Sequence, residues 1–201
     1  MVSEAKATPP FCGRFPNQRA CGCSIPCRLI MKKDLLDEVL TDFLFLGPIQ
    51  AAFFLDKLRT TGITHIVNIS NMNYVKHEEI TYLDLPLMDQ ADVQINRVFV
   101  KTNSFIDGVR AKKGKVLVHC EAGVSRSASV VIAYCMYSSK LSYKDAYALV
   151  KAKRSRIDPN EGFVLQLMEY EQKLSVSTNK SQSPAGADGS EKKSEEQPQP
   201  P

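Results

Sequence analysis

Apolar positions in this chain fall into short solid runs and into wider-spaced series, and the two spacings predict different elements. FLFLG (43–47), THIVNIS (64–70), YLDLPL (82–87) and KVLV (115–118) have the length and side-chain type of buried strands. IQAAFFLDKLRTTG (49–62) reads as one helix ended by its glycine. Residues 95–113 carry Ile95, Val98, Phe99, Phe105, Ile106 and Val109 at helical spacing. SVVIAYCMY (129–137) is apolar nearly all round and reads as a core helix that opens at Arg126. Ser142 caps SYKDAYALVKAKR, and Asn160 or Asp158 caps a last helix ending near Leu174. Strands alternating with helices, then a helical C-terminal half, predict an α/β domain with a central, mostly parallel sheet flanked by helices.

The flanks have no such pattern. Residues 1–33 mix Pro, Gly, Arg and Cys without periodicity, and 175–201 are rich in Ser, Pro, Lys and Glu without apolar anchors. Neither can bury enough surface to offset the entropy of ordering, so both are expected to be disordered around one domain at 34–174. Charge follows the same division. The net +4 of the 201 residues resides in the N-terminal arm, where six Lys and Arg face Glu4 alone. Residues 34–174 balance at 17 basic and 17 acidic side chains, and the tail is net −1. A nucleic-acid-binding core usually carries a basic face, and a balanced charge count demands none, so no nucleic acid is expected as a partner. No secretory segment follows Met1 and no apolar run approaches the ~20 residues of a membrane helix, so a soluble chain in the cytoplasm, and in the nucleus as well, is expected. The six cysteines crowd at 12, 21, 23 and 27, with Cys120 and Cys135 far downstream, unlike a secreted disulfide framework. Cys21, Cys23 and Cys27 lack the paired spacing and histidines of a zinc site. An unstructured extension is the leading reading of the arm, with acylation beside its basic residues as the alternative. Cys135 is read as packing, and Ser183 before Pro184 as a weak phosphorylation candidate.

The chemistry concentrates in HCEAGVSRSAS (119–129), between the last strand and the core helix. A tight loop entering a helix N-terminus presents unpaired backbone N–H groups and the positive end of a dipole, which together make an anion nest. A thiol at the floor of that nest, Cys120, is favoured as the thiolate nucleophile. Glu121, Ala122, Gly123, Val124 and Ser125 supply the N–H groups, and Arg126 supplies a flat two-pronged donor for two phosphate oxygens. A buried structural cysteine would need neither Gly123 nor Arg126. Ser127 can donate to the sulfur or serve merely as a first-turn residue. His119 is read as acting indirectly, by holding the loop through hydrogen bonds and favouring the ionised Cys120.

HCEAGVSRS matches HCxxGxxRS, the signature of cysteine-dependent phosphatases, and it resembles the dual-specificity protein phosphatases in wording. LFLGPIQAA, GITHIVNIS, LDLPLMD and RIDPNEGFVLQLMEYE look like that family too, so the resemblance covers roughly 38–174 and is strongest to its small atypical members. It implies the cysteine-phosphatase fold, no cofactor or metal, and two steps through a phosphocysteine at Cys120. It also implies a general acid on a loop about thirty residues before the cysteine. Asp89, 31 before, is the choice, Asp92, 28 before, is the runner-up, and Asp84 is read as structural within a strand. Asn160 matches a position that braces the phosphate loop, although a helix cap explains it equally well. The loop holds Glu121 and no lysine, which favours a phosphoprotein over a polyphosphorylated lipid, and a short domain suggests a shallow pocket open to phosphotyrosine and to phosphoserine or phosphothreonine. Kinases of MAP-kinase pathways are the suggested partners. Two alternatives remain: a phosphoprotein-binding scaffold, since some relatives keep the fold but lose the nucleophile, and an RNA 5′-triphosphatase, which the neutral core and Glu121 disfavour.

Overall fold

Four parallel strands of the sheet end along one edge, and that edge carries the site. The computed structural model describes residues 35–180. Expectations for the arm, its cysteines, and the tail beyond 180, including Ser183, therefore lie outside the described residues. The elements are β1 (Asp37–Leu40), β2 (Leu44–Pro48), a 3-10 turn (Ile49–Ala52), α1 (Leu55–Thr61), β3 (Ile63–Asn68) and β4 (Thr81–Asp84). They continue with α2 (Asn96–Ala111), β5 (Lys115–Cys120), α3 (Arg126–Ser139), α4 (Tyr143–Lys153) and α5 (Glu161–Lys180). The sheet order is β1-β2-β5-β3-β4, with β1 antiparallel to β2 and every other pair parallel.

Register brings Pro48 beside Cys120, and Asn68 beside both His119 and Asp84. These are the carboxyl ends of β2, β5, β3 and β4, the edge at which open α/β sheets bind ligands. Side chains along each strand alternate between the two faces. Leu44, Leu46, Val116, Val118 and Cys120 join the larger core beneath α2, α3, α4 and α5, while Phe45, Ile66 and Leu117 join a smaller one with Leu58 of α1 and Ala51 and Ala52 of the turn. Covering both faces explains why the strands read as solid apolar runs. Fully buried Cys135 belongs to the larger core, and burial pushes its thiol up to about 12, as expected of packing.

Four boundaries depart from the sequence reading. The helix expected at 49–62 is split, because Phe54 leaves helical geometry (φ −92°, ψ 81°). The preceding turn is recruited elsewhere, since Ile49 N–H donates to Glu121 O (3.1 Å). Gly62 does end α1, in a left-handed conformation (φ 82°) that an L side chain resists. Strand β1 was not anticipated: DEVL buries only Val39, so pairing with β2 rather than an apolar run makes it a strand. The run 82–87 is regular only through Asp84, although Leu85 N–H still reaches Asn68 O (2.8 Å). Finally, α5 continues to Lys180 rather than ending near Leu174.

Candidate active site

The loop between β5 and α3 is shaped by where its carbonyls go. Glu121 O accepts from Ile49 N–H, Val124 O from Asp158 N–H (2.9 Å) and Ser125 O from Ser129 N–H (2.9 Å). Ala122 O and Gly123 O accept from Arg154 Nη2 and Nε (3.3 and 2.7 Å). Five successive carbonyls are thus engaged, so the N–H groups are left to turn inward. Gly123 N–H does so, donating to Cys120 Sγ (3.3 Å). Ser127 Oγ donates to the same sulfur (3.1 Å), the contact expected of it. Gly123 is required twice over. Its φ is +68°, and a Cβ would stand 2.6 Å from the carbonyl of Gly47 and 2.8 Å from Arg154 Nη2. Both donors converge on the sulfur just before the N-terminus of α3.

Arg154 was missed by the sequence reading. It is only 2 % exposed, yet it spans from the loop carbonyls to the Asp37 carboxylate on β1 (2.5 Å). In sequence it is one basic residue among Lys151, Lys153 and Arg156, and nothing local marks which of the four is buried. Tyr74 was missed as well. Its hydroxyl lies 2.7 Å from His119 Nε2, while His119 Nδ1 lies 3.1 Å from Cys120 O. A carbonyl only accepts, so Nδ1 carries the proton and Nε2 accepts from Tyr74. Burial lowers the His119 pKa to about 4, which leaves a neutral ring that holds the loop by hydrogen bonds. Its expected help in ionising Cys120 can therefore come only through such contacts and not from an imidazolium.

Arg126 is 5 % exposed and donates through Nη1 to Leu87 O (2.9 Å). Its other edge faces two carboxylates, Glu121 through Nη2 (3.2 Å) and Asp89 near Nε (3.5 Å). Nε makes no hydrogen bond although it is buried, an unsatisfied donor on the edge a phosphate takes two-fold. Asp89 is brought into the site: its Oδ1 accepts from Ser125 Oγ (2.7 Å) and Asn160 Nδ2 (2.8 Å). Asn160 N–H donates to Ser125 Oγ in the loop (3.2 Å), and Asn160 Oδ1 caps α5 by accepting from Phe163 N–H (3.0 Å). Asp92 is exposed and shares none of these contacts. Asp84 closes β4; burial works against its carboxylate, but hydrogen bonds from Lys76 and Asn68 outweigh that and hold it below the usual range. Among the described residues no three His, Cys, Asp or Glu side chains are grouped to hold a metal, and no helix is long and apolar enough to cross a membrane.

A thiol in such a loop, next to a helix opened by a buried arginine, can be compared with known proteins. Residues 44–173 match the family model described as dual specificity phosphatase, catalytic domain. Human dual specificity protein phosphatase 7 is 42% identical over 139 residues, 68% of this chain and 33% of that protein. MAP kinase phosphatase with leucine-rich repeats protein 1 of Dictyostelium discoideum is 36% identical over 75% of this chain and 18% of that protein. The chain thus spans a third or less of these two relatives. The crystal structure of human tyrosine phosphatase-like serine/threonine/tyrosine-interacting protein superposes with a TM-score of 0.66 at 42% identity, covering 70% of this chain and 98% of that one. With the family model matched over 44–173 and relatives of 36–42% identity, the chain belongs to the dual specificity phosphatase catalytic-domain family.

Proposed function

We propose that this protein is a metal-independent phosphatase that removes phosphate from phosphotyrosine and from phosphoserine or phosphothreonine through a phosphocysteine. One observation carries the reading: Cys120 Sγ accepts from Gly123 N–H and Ser127 Oγ in a loop whose carbonyls from 121 to 125 are all engaged elsewhere, and Arg126 opens the helix that follows. Substrate phosphate replaces Glu121 and Asp89 on the Nε and Nη2 edge of Arg126. The Cys120 thiolate attacks phosphorus, an S–P bond forms, and the bond to the substrate oxygen breaks as Asp89 delivers its proton to that oxygen. The N–H groups of residues 121–126 and the guanidinium hold the three equatorial oxygens. Water then attacks phosphorus, Asp89 takes its proton, and Cys120 departs as the thiolate with inorganic phosphate released.

The resemblance to a MAP kinase phosphatase makes phosphorylated MAP kinases the first substrates to test. Similarity to a protein named for interaction keeps one alternative, capture of phosphoprotein without turnover. Acid-quenched protein after mixing with a labelled aryl phosphate separates the two. A phosphatase accumulates label on Cys120 and turns over, and Cys120→Ser abolishes both while still binding phosphopeptide, because a serine hydroxyl there has no base to ionise it. Turnover surviving in Cys120→Ser removes the assigned nucleophile. A wild-type protein that binds phosphopeptide but forms no label is a scaffold.

A further inference from the structure

The segment that carries Asp89 is anchored at every second residue. Leu87 O accepts from Arg126, and the Asp89 carboxylate accepts from Ser125 and Asn160. Two positions further, Ala91 O packs so closely on Gly162 that a Cβ there would lie 1.9 Å from it. At the next step Val93 O accepts from Gln166 Nε2 (2.9 Å). The other end of the same amide, Gln166 Oε1, accepts from Asn96 N–H at the start of α2 (3.1 Å). Asn160, Gly162 and Gln166 all lie at the N-terminal end of α5, so one helix end holds the segment from its carboxylate to its exit.

Gln166 has no hydrogen bond to the sulfur or the phosphate nest; beside a bond to Gly162 O within α5 (3.1 Å), its amide joins the backbone of Val93 to that of Asn96. The primary amide is suited to this task because it donates to a carbonyl and accepts from an N–H at once. Gly162 has no positive φ, so its backbone tolerates alanine and only the approach of Ala91 demands the missing Cβ. A small displacement of a proton donor is costly, because transfer requires hydrogen-bond reach to the departing oxygen.

We propose that Gln166, with Gly162, is the positioning residue of the general-acid segment, seating residues 91–96 on α5 so that Asp89 stands over the phosphate nest. The proposal rests on the reading of Asp89 as general acid. The test compares full-length wild type, Gln166→Leu, Gln166→Glu, Gly162→Ala, Asp92→Asn and Asp89→Asn on p-nitrophenyl phosphate, a good leaving group, and on a phosphoserine peptide, a poor one. Asp89→Asn loses about 10²–10⁴-fold in kcat on the peptide and far less on the aryl ester. Gln166→Leu and Gly162→Ala lose about tenfold on the peptide with KM within about twofold, and about twofold or less on the aryl ester. Gln166→Glu behaves like Gln166→Leu despite its matching shape, since it sets a second acceptor against Val93 O. Thermal melts of every variant check folding, and Gly162→Ala reaches the segment by a second route, because its Cβ meets the Ala91 backbone. Asp92→Asn leaves both substrates nearly unchanged. Equal losses on both substrates, or none in the Gln166 and Gly162 variants while Asp89→Asn keeps its leaving-group dependence, overturn the positioning role alone. Absence of that dependence in Asp89→Asn overturns the general-acid reading and the positioning role with it.

Discussion

His119 immediately precedes Cys120, yet it lies on the opposite face of β5, with its ring between Tyr74 and the Cys120 carbonyl. Its role is fixed by desolvation, since a charged imidazolium would be buried without a carboxylate in hydrogen-bond contact. The folded protein holds it neutral down to about pH 4, whereas the unfolded chain binds the proton near 6.5. Stability from this group is therefore complete above pH 6.5 and is lost as pH falls toward 4, by about 3 kcal/mol in all. Urea midpoints measured between pH 4 and 7 should fall more steeply in wild type than in His119→Gln. Parallel slopes in the two proteins would show that another group governs the acid side. The sequence places His119 beside Cys120 but cannot say which face its ring takes; strand alternation, visible only once β5 has neighbours, decides that.

At the scale of the element, the phosphate loop is less a local motif than a junction. Its carbonyls are taken by the turn after β2, by Arg154 at the end of α4, by Asp158 in the following loop and by α3 itself. HCEAGVSRS is legible in sequence because its own residues supply the nest, the glycine and the guanidinium. The groups that face those carbonyls outward are not, because Ile49 lies 72 residues before its partner Glu121 and Asp158 lies 34 after its partner Val124. Gly123→Ala tests the junction directly. The substitution adds a positive-φ cost of roughly 1–2 kcal/mol and drives a methyl group into the Gly47 carbonyl, which moves the N–H that faces the sulfur. We expect kcat on p-nitrophenyl phosphate to fall about 10²-fold, the usual worth of one misplaced donor. Circular dichroism should confirm that the sheet persists, and near-normal kcat would mean that the loop tolerates the shift.

At the scale of the molecule, Asp37 on the edge strand reaches Arg154, and Arg154 reaches the phosphate loop, so an edge of the sheet braces a site at its centre. This separates two truncations. Removing residues 1–33 spares β1 and should leave turnover of a small aryl phosphate within a few-fold of the full chain. Removing residues 1–40 takes away Asp37, whose carboxylate accepts from Arg154, and with it Val39 from the larger core. That protein should lose most of its activity and melt lower. A 1–40 deletion as active as the 1–33 deletion would show that the edge brace carries no weight.

What the sequence determined by itself was everything set by neighbours along the chain. The solid apolar runs, the helical spacings, the cap at Ser142 and the nine residues from His119 to Ser127 each encode a local preference that needs no partner to be recognised. What only the tertiary structure decided was everything whose partner is remote. Pairing made β1 a strand, the phosphate loop drew the turn at 49–52 out of the helix expected there, and α5 selected Asp89 over Asp92 as the carboxylate in the site. The physical reason is that local propensities are worth tenths of a kcal/mol per residue. A buried hydrogen bond or a desolvated charge left unpaired costs several times more, so the remote contacts override the local preference wherever the two conflict.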